Sequence, residues 1–174
     1  MAIKSYDELV RDIKNKIYHP VYLLQGDEAF YIDKISDLLE SSVLDDMEKE
    51  FNQSVVYGRD LEAPEMVSIA KRYPMMANYQ VVIVKEAQDF KALMGRKSDD
   101  DDNEKEDEPA EKNPLINYLN NPLKSTVLVF CVKYKTLDKR GKIYKALEKN
   151  GIVYESKKIY ENKVPEWIEK YLAE

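Results

Sequence analysis

Apolar residues along the chain switch between two spacings. Ser5-Tyr6-Asp7-Glu8 has the spacing of a capping box, with Ser5 as N-cap and Glu8 at the third helical position. Leu9, Val10, Ile13 and Ile17 follow at helical intervals and predict a first helix to about Ile17, ended by His19-Pro20. Val21-Tyr22-Leu23-Leu24 is a continuous apolar run before Gly26 and reads as a buried strand. Asp27 is placed to cap a second helix carrying Ile32, Ile35, Leu38, Leu39 and Val43 on one face. Gln53 to Tyr57 reads as another strand. Asp60 is expected to open a helix with Met66, Ile69 and Ala70 inward, broken at Tyr73-Pro74-Met75-Met76.

The second half repeats the alternation. Val81 to Val84 is β-branched throughout, as a central strand covered on both faces would be. Asn113-Pro114 opens a short helix through Leu119, with the proline in its first turn. Val127 to Val132 is a further buried strand. Asp138 to Asn150 reads as helix with Gly151 as its stop, and Ile152 to Lys157 as a last strand. A final helix starts near Pro165 and runs through Trp167 to Leu172. Helices alternating with apolar strands predict an α/β layered domain with a mainly parallel sheet over residues 1–158. Residues 159–174 are expected to begin a second, helical domain, with the last helix lacking partners inside this chain.

Composition changes this picture at one place. The net charge of −6 resides in residues 97–113, which hold nine acids and three bases; the remainder carries 24 of each sign. That acidic stretch is expected to be a solvated, disordered insertion, because like charges repel and nothing apolar holds it down. No apolar run approaches a membrane span and the N-terminus lacks a secretory apolar region, so a cytoplasmic protein is expected. The single cysteine, Cys131, excludes an intramolecular disulfide and a cysteine-rich metal site. Cys131 lies in an apolar strand and reads as a small buried hydrophobe, and the single histidine, His19, as a surface residue. With one histidine there is no triad and no histidine metal cluster; no metal and no cofactor are expected.

Two segments carry candidate chemistry. A phosphate-binding loop would sit after the first strand, but Gly26-Asp27-Glu28-Ala29-Phe30-Tyr31-Ile32 offers one glycine and no Gly-Lys-Ser/Thr. Its acids at a helix start repel phosphate. The second segment is Tyr73-Pro74-Met75-Met76. Adjacent methionines cannot both face one core from a helix or strand. Either both fold back as gap fillers, which methionine does well, or they form an exposed apolar plug for a partner's pocket. The residues alone leave both open.

The run from Val21 to Ile32, the segment AKRYPMMANYQVVIV from Ala70 to Val84, and Thr126 to Leu147 together resemble the N-terminal region of the bacterial DNA polymerase III delta subunit, the clamp-loader wrench. The resemblance follows order and spacing over residues 3–174, except the acidic insertion. It implies an AAA+/P-loop-like domain with a degenerate nucleotide loop, and a subunit of the polymerase III holoenzyme with no catalysis or ATPase activity of its own. It implies that Tyr73, Pro74, Met75 and Met76 bind the β sliding clamp, where the family usually has leucine and phenylalanine-like residues. Two methionines keep the bulk and add flexibility. Further implied partners are other clamp-loader subunits, through a collar absent here, and primed DNA indirectly. The rival readings are an active P-loop NTPase and a DNA-binding module using Lys133, Lys135, Lys139 and Lys142.

Overall fold

The computed structural model describes residues 3–95, 113–159 and 161–173. Apart from Asn113, the acidic insertion lies outside the described residues. Five strands, β1 (Val21–Gly26), β2 (Gln53–Tyr57), β3 (Gln80–Lys85), β4 (Thr126–Lys133) and β5 (Ile152–Ser156), form one sheet in the order β2-β3-β4-β1-β5. Every pairing is parallel. The three strands expected inside the sheet, β1, β3 and β4, are its three inner strands.

Their unbroken apolar sequences follow from cover on both faces. Side chains alternate across a strand, so Tyr22 and Leu24 of β1 face one core while Val21 and Leu23 face the other. Likewise Val81 and Ile83 oppose Val82 and Val84, and Val127, Val129 and Cys131 oppose Leu128, Phe130 and Val132. The first face is covered by α1 (Tyr6–Lys14) and α2 (Ala29–Ser42), through Leu9, Ile13, Ile32, Ile35 and Leu39. The second is covered by α4 (Ala63–Ala70), α5 (Lys91–Met94), α6 (Pro114–Asn120) and α7 (Lys142–Asn150). Two further helices, α3 (Asp46–Asn52) and α8 (Val164–Ala173), lie outside these two layers.

Local signals explain most helix starts. The Ser5/Glu8 capping box forms, and Asn113 caps α6 with Pro114 in its first turn. Several boundaries differ from expectation. α1 stops at Lys14 because the chain turns at Lys16, whose φ is +58°. Glu28, not Asp27, caps α2. Asp60 lies in a 3₁₀ turn and α4 begins at Ala63; α7 begins at Lys142, after Asp138 has capped a turn by accepting from the Arg140 N–H. α3 was not expected at all. It starts with its own capping box, Asp45 and Glu48.

Phe130 stands at the centre of the second core, wholly buried and stacked on Phe90 with ring centroids 6.4 Å apart. Phe130→Ala is expected to cost about 3–5 kcal/mol, a large share of a stability that for such a domain is ~5–15 kcal/mol. Equilibrium urea unfolding measures it, and a loss under 1 kcal/mol would contradict a two-faced core.

Candidate functional site

Two places stand out, at opposite ends of the sheet. The first lies at the carboxyl ends of the strands, where β1 sits between β4 and β5. In a parallel α/β sheet that is where a ligand would bind. Here the space is filled from within. Gly26 adopts φ +125°, and a Cβ there would come within 2.2 Å of the Ser156 carbonyl oxygen. The Gly26 N–H donates to the Lys135 carbonyl (3.2 Å) and the Asp27 N–H to the Ser156 carbonyl (3.4 Å). The Glu28 N–H donates to Ser156 Oγ (3.0 Å), and the Phe30 N–H to the Glu28 carboxylate (3.3 Å). Four backbone donors around this turn, those of Gly26, Asp27, Glu28 and Phe30, are thus committed to the chain's own oxygens.

Charges beside this loop are also satisfied internally. Lys133 Nζ lies 2.8 Å from Asp33 of α2 and 3.7 Å from Glu86 after β3. Burial opposes its charge, yet the hydrogen bond to Asp33 and the two carboxylates hold the ammonium above the usual lysine range. Of the lysines weighed as phosphate contacts, Lys133 is therefore engaged, and Lys139 lies 3.4 Å from Glu155. Lys135 and Lys142 are exposed.

The last helix does find partners. Trp167 of α8 meets Phe30 edge to face at 5.1 Å and stacks on Tyr171 at 5.6 Å. Its indole N–H donates to the Tyr31 hydroxyl. Tyr31 in turn packs on Tyr6 of α1, and the Lys34 ammonium lies 5.4 Å from the centroids of both Phe30 and Tyr171. This corrects the expectation of an unpartnered helix: the aromatics at the start of α2 receive it.

The second place is the loop from α4 to β3, at the amino end of the sheet. α4 stops at Ala70, before Pro74 comes into play, and its last two carbonyls accept from buried side chains. Gln80 Nε2 donates to the Ile69 carbonyl (2.5 Å) and Thr126 Oγ1 to the Ala70 carbonyl (2.8 Å). Beyond this anchor Tyr73, Met75 and Met76 emerge 76%, 61% and 100% exposed, with Pro74 half-buried among them. The methionines are therefore not gap fillers. Met76 holds φ +54°, a left-handed conformation uncommon outside glycine.

What holds this tip is a residue that the sequence did not mark out. Asn52, the last residue of α3, is 3% exposed. Its Oδ1 accepts from the Met75 N–H (2.6 Å), and its Nδ2 donates to the Met75 carbonyl (2.9 Å) and to the Glu48 carbonyl (3.0 Å). On the same helix Met47 and Phe51, four positions apart and so on one face, are 82% and 68% exposed.

The remaining candidates carry no chemistry. Cys131 is buried, and burial pushes its thiol up to about 11. His19, expected on the surface, is half-buried 4.0 Å from Asp12, and its burial favours the neutral ring. Among the described residues no cluster of His, Cys, Asp and Glu is arranged to hold a metal, and no helix is long and apolar enough to cross a membrane.

Comparison with known proteins gives consistent results. Residues 22–157 match the family described as DNA polymerase III, delta subunit. The chain is 30% identical over 151 residues to the DNA polymerase III subunit delta of Bacillus subtilis (strain 168), which covers 86% of this chain and 40% of that relative. It superposes on the solved Bacillus subtilis DNA clamp loader delta protein (YqeN) with a TM-score of 0.74 and 25% identity, covering 93% of this chain and 45% of that one. The chain thus spans under half the length of the relatives it matches.

The aromatic contacts of α8 are directly testable, because Trp167 is the only tryptophan. Phe30→Ala is expected to shift its fluorescence emission to the red and raise its quenching by iodide, while far-UV dichroism stays unchanged. Unaltered emission would mean that α8 does not rest on α2.

Proposed function

Because the chain belongs to the DNA polymerase III delta-subunit family, we propose that it is a clamp-gripping module, which binds the β sliding clamp through Tyr73, Pro74, Met75 and Met76. The observation that carries this is the exposure of two adjacent methionines on a backbone anchored at both ends. A soluble domain that leaves large apolar side chains in water on a fixed loop has a use for them. Met47 and Phe51, on the helix that holds the loop, add apolar surface on the same mount. The partner's complement is an apolar pocket. Binding that is stronger to an opened clamp than to a closed one would draw the ring toward opening, by the difference in affinity alone.

In this reading residues 1–158 are the clamp-binding domain, and residues 159–174 begin the next domain, seated on α2 through Trp167. The same reading gives other clamp-loader subunits, and primed DNA indirectly, as further partners. The rival NTPase reading is opposed by the committed donors of the loop from Gly26 to Phe30 and by the absence of a Gly-Lys-Ser/Thr run.

Transfer of each methionine from water into a pocket is worth roughly 1.5–3 kcal/mol. Met75→Ala/Met76→Ala is therefore expected to weaken clamp binding on the order of a hundredfold or more, measured by surface plasmon resonance against the clamp of the same organism. Its melting temperature should barely move, since neither side chain fills core volume. Wild-type affinity in the double variant would overturn the assignment of the plug.

Calorimetric titration with ATP and magnesium is expected to give no saturable heat at micromolar nucleotide. A micromolar Kd would restore the NTPase reading.

A further inference from the structure

Asn52 is the feature of this region that exposure and family do not account for. Its side chain is buried, its three hydrogen bonds go to main-chain groups, and two of these belong to one peptide residue, Met75. A primary amide that pairs with both the N–H and the carbonyl of a single residue reproduces the pairing of a neighbouring strand. It fixes both the position and the orientation of that residue. The next residue, Met76, is the fully exposed one and sits at φ +54°. A non-glycine residue there is strained and persists only when its surroundings hold it.

Resting on the clamp-binding reading above, we propose that Asn52 is the positioning residue of the plug: it locks Met75 so that Met76 is presented in one conformation, and it joins the tip to α3. Asn52 does not itself reach the surface. Its contribution to affinity is made through the tip, by ordering before binding what the clamp would otherwise have to order. The amide is chemically specific for this task. Aspartate has the same shape but no N–H to give to the Met75 and Glu48 carbonyls; a carboxylate would face both of them with like partial charge. Leucine or alanine would leave the Met75 N–H and carbonyl without their partner.

The test uses the whole chain and the sliding clamp of the same organism. Asn52→Ala and the isosteric Asn52→Asp are each measured alone and combined with Met75→Ala/Met76→Ala, together with hydrogen exchange at the Met75 amide. Both single variants are expected to lower clamp affinity on the order of tenfold or more, and Asn52→Ala, which removes the acceptor of the Met75 N–H, is expected to speed Met75 exchange by a similar factor as the local opening becomes easier. In the background lacking both methionines, neither is expected to lower affinity further, because there is no plug left to position. Asn52→Asp keeps the core volume, so it answers the question if Asn52→Ala does not fold. Full affinity in either single variant would overturn the inference, as would unchanged Met75 exchange in Asn52→Ala, or an equal loss with and without the methionines. If the double methionine variant itself binds normally, the clamp-binding reading fails first, and that result is distinct from a failure of Asn52 alone.

Discussion

A parallel sheet whose two faces are both buried constrains everything else in this molecule. Its inner strands leave no side free for a site, so chemistry is confined to the two edges where strands begin and end. The parallel order also decides which loops meet. β2 and β3 pair with Gln53 opposite Val81. The residues just before these strands, Asn52 on one side and the loop ending at Tyr79 on the other, therefore enter the amino edge side by side. The contact between Asn52 and Met75 is a consequence of that register, although 23 residues separate them.

At the opposite edge the same architecture has a different outcome. The turn after β1 is where such a sheet offers N–H groups to an anion, yet Glu28, Ser156 and two carbonyls already accept from Gly26, Asp27, Glu28 and Phe30. Lys133 finds two carboxylates of its own chain. A ligand there would have to displace hydrogen bonds already made and approach two acids at the start of α2. The two ends of the sheet share only the rigid strands between them. The aromatic seat of α8 is at the same end, built on Phe30 and Tyr31 at the head of α2. That helix start, its anion site closed, carries a neighbouring segment instead.

The parts legible in the sequence are those whose signal is local or continuous. β1, β3 and β4 announce themselves as apolar runs, and α1 and α6 by their caps. The helix α3 was passed over because its large apolar residues, Met47 and Phe51, point to solvent, and the residue it buries, Asn52, is polar. A search for an inward apolar face has nothing to find there, although the Asp45/Glu48 spacing was present as a capping signal. The exposed tip is half legible. Adjacency of Met75 and Met76 argued that one must be exposed, while the structure exposes both. Pro74 predicts a helix break, but α4 already ends at Ala70, where Gln80 and Thr126 bond its last carbonyls. Polar side chains that cap a distant helix leave no periodic trace.

Methionine on a locked backbone combines two properties that usually oppose each other. Its three side-chain torsions and polarizable sulfur allow it to fit pockets of uneven shape, but ordering them on binding costs about 0.5–1.5 kcal/mol per side chain. A mobile loop would add the backbone term, about 1–2 kcal/mol for each residue fixed. Under the proposed function, holding Met75 by both peptide groups would lower that second cost before a partner arrives. The left-handed turn at Met76 serves the same end, since it turns consecutive side chains outward where an extended segment would return one of them to the domain. Adaptability then resides in the side chains and direction in the main chain. At position 52 the pairing uses both an acceptor and a donor, which the asparagine amide supplies together.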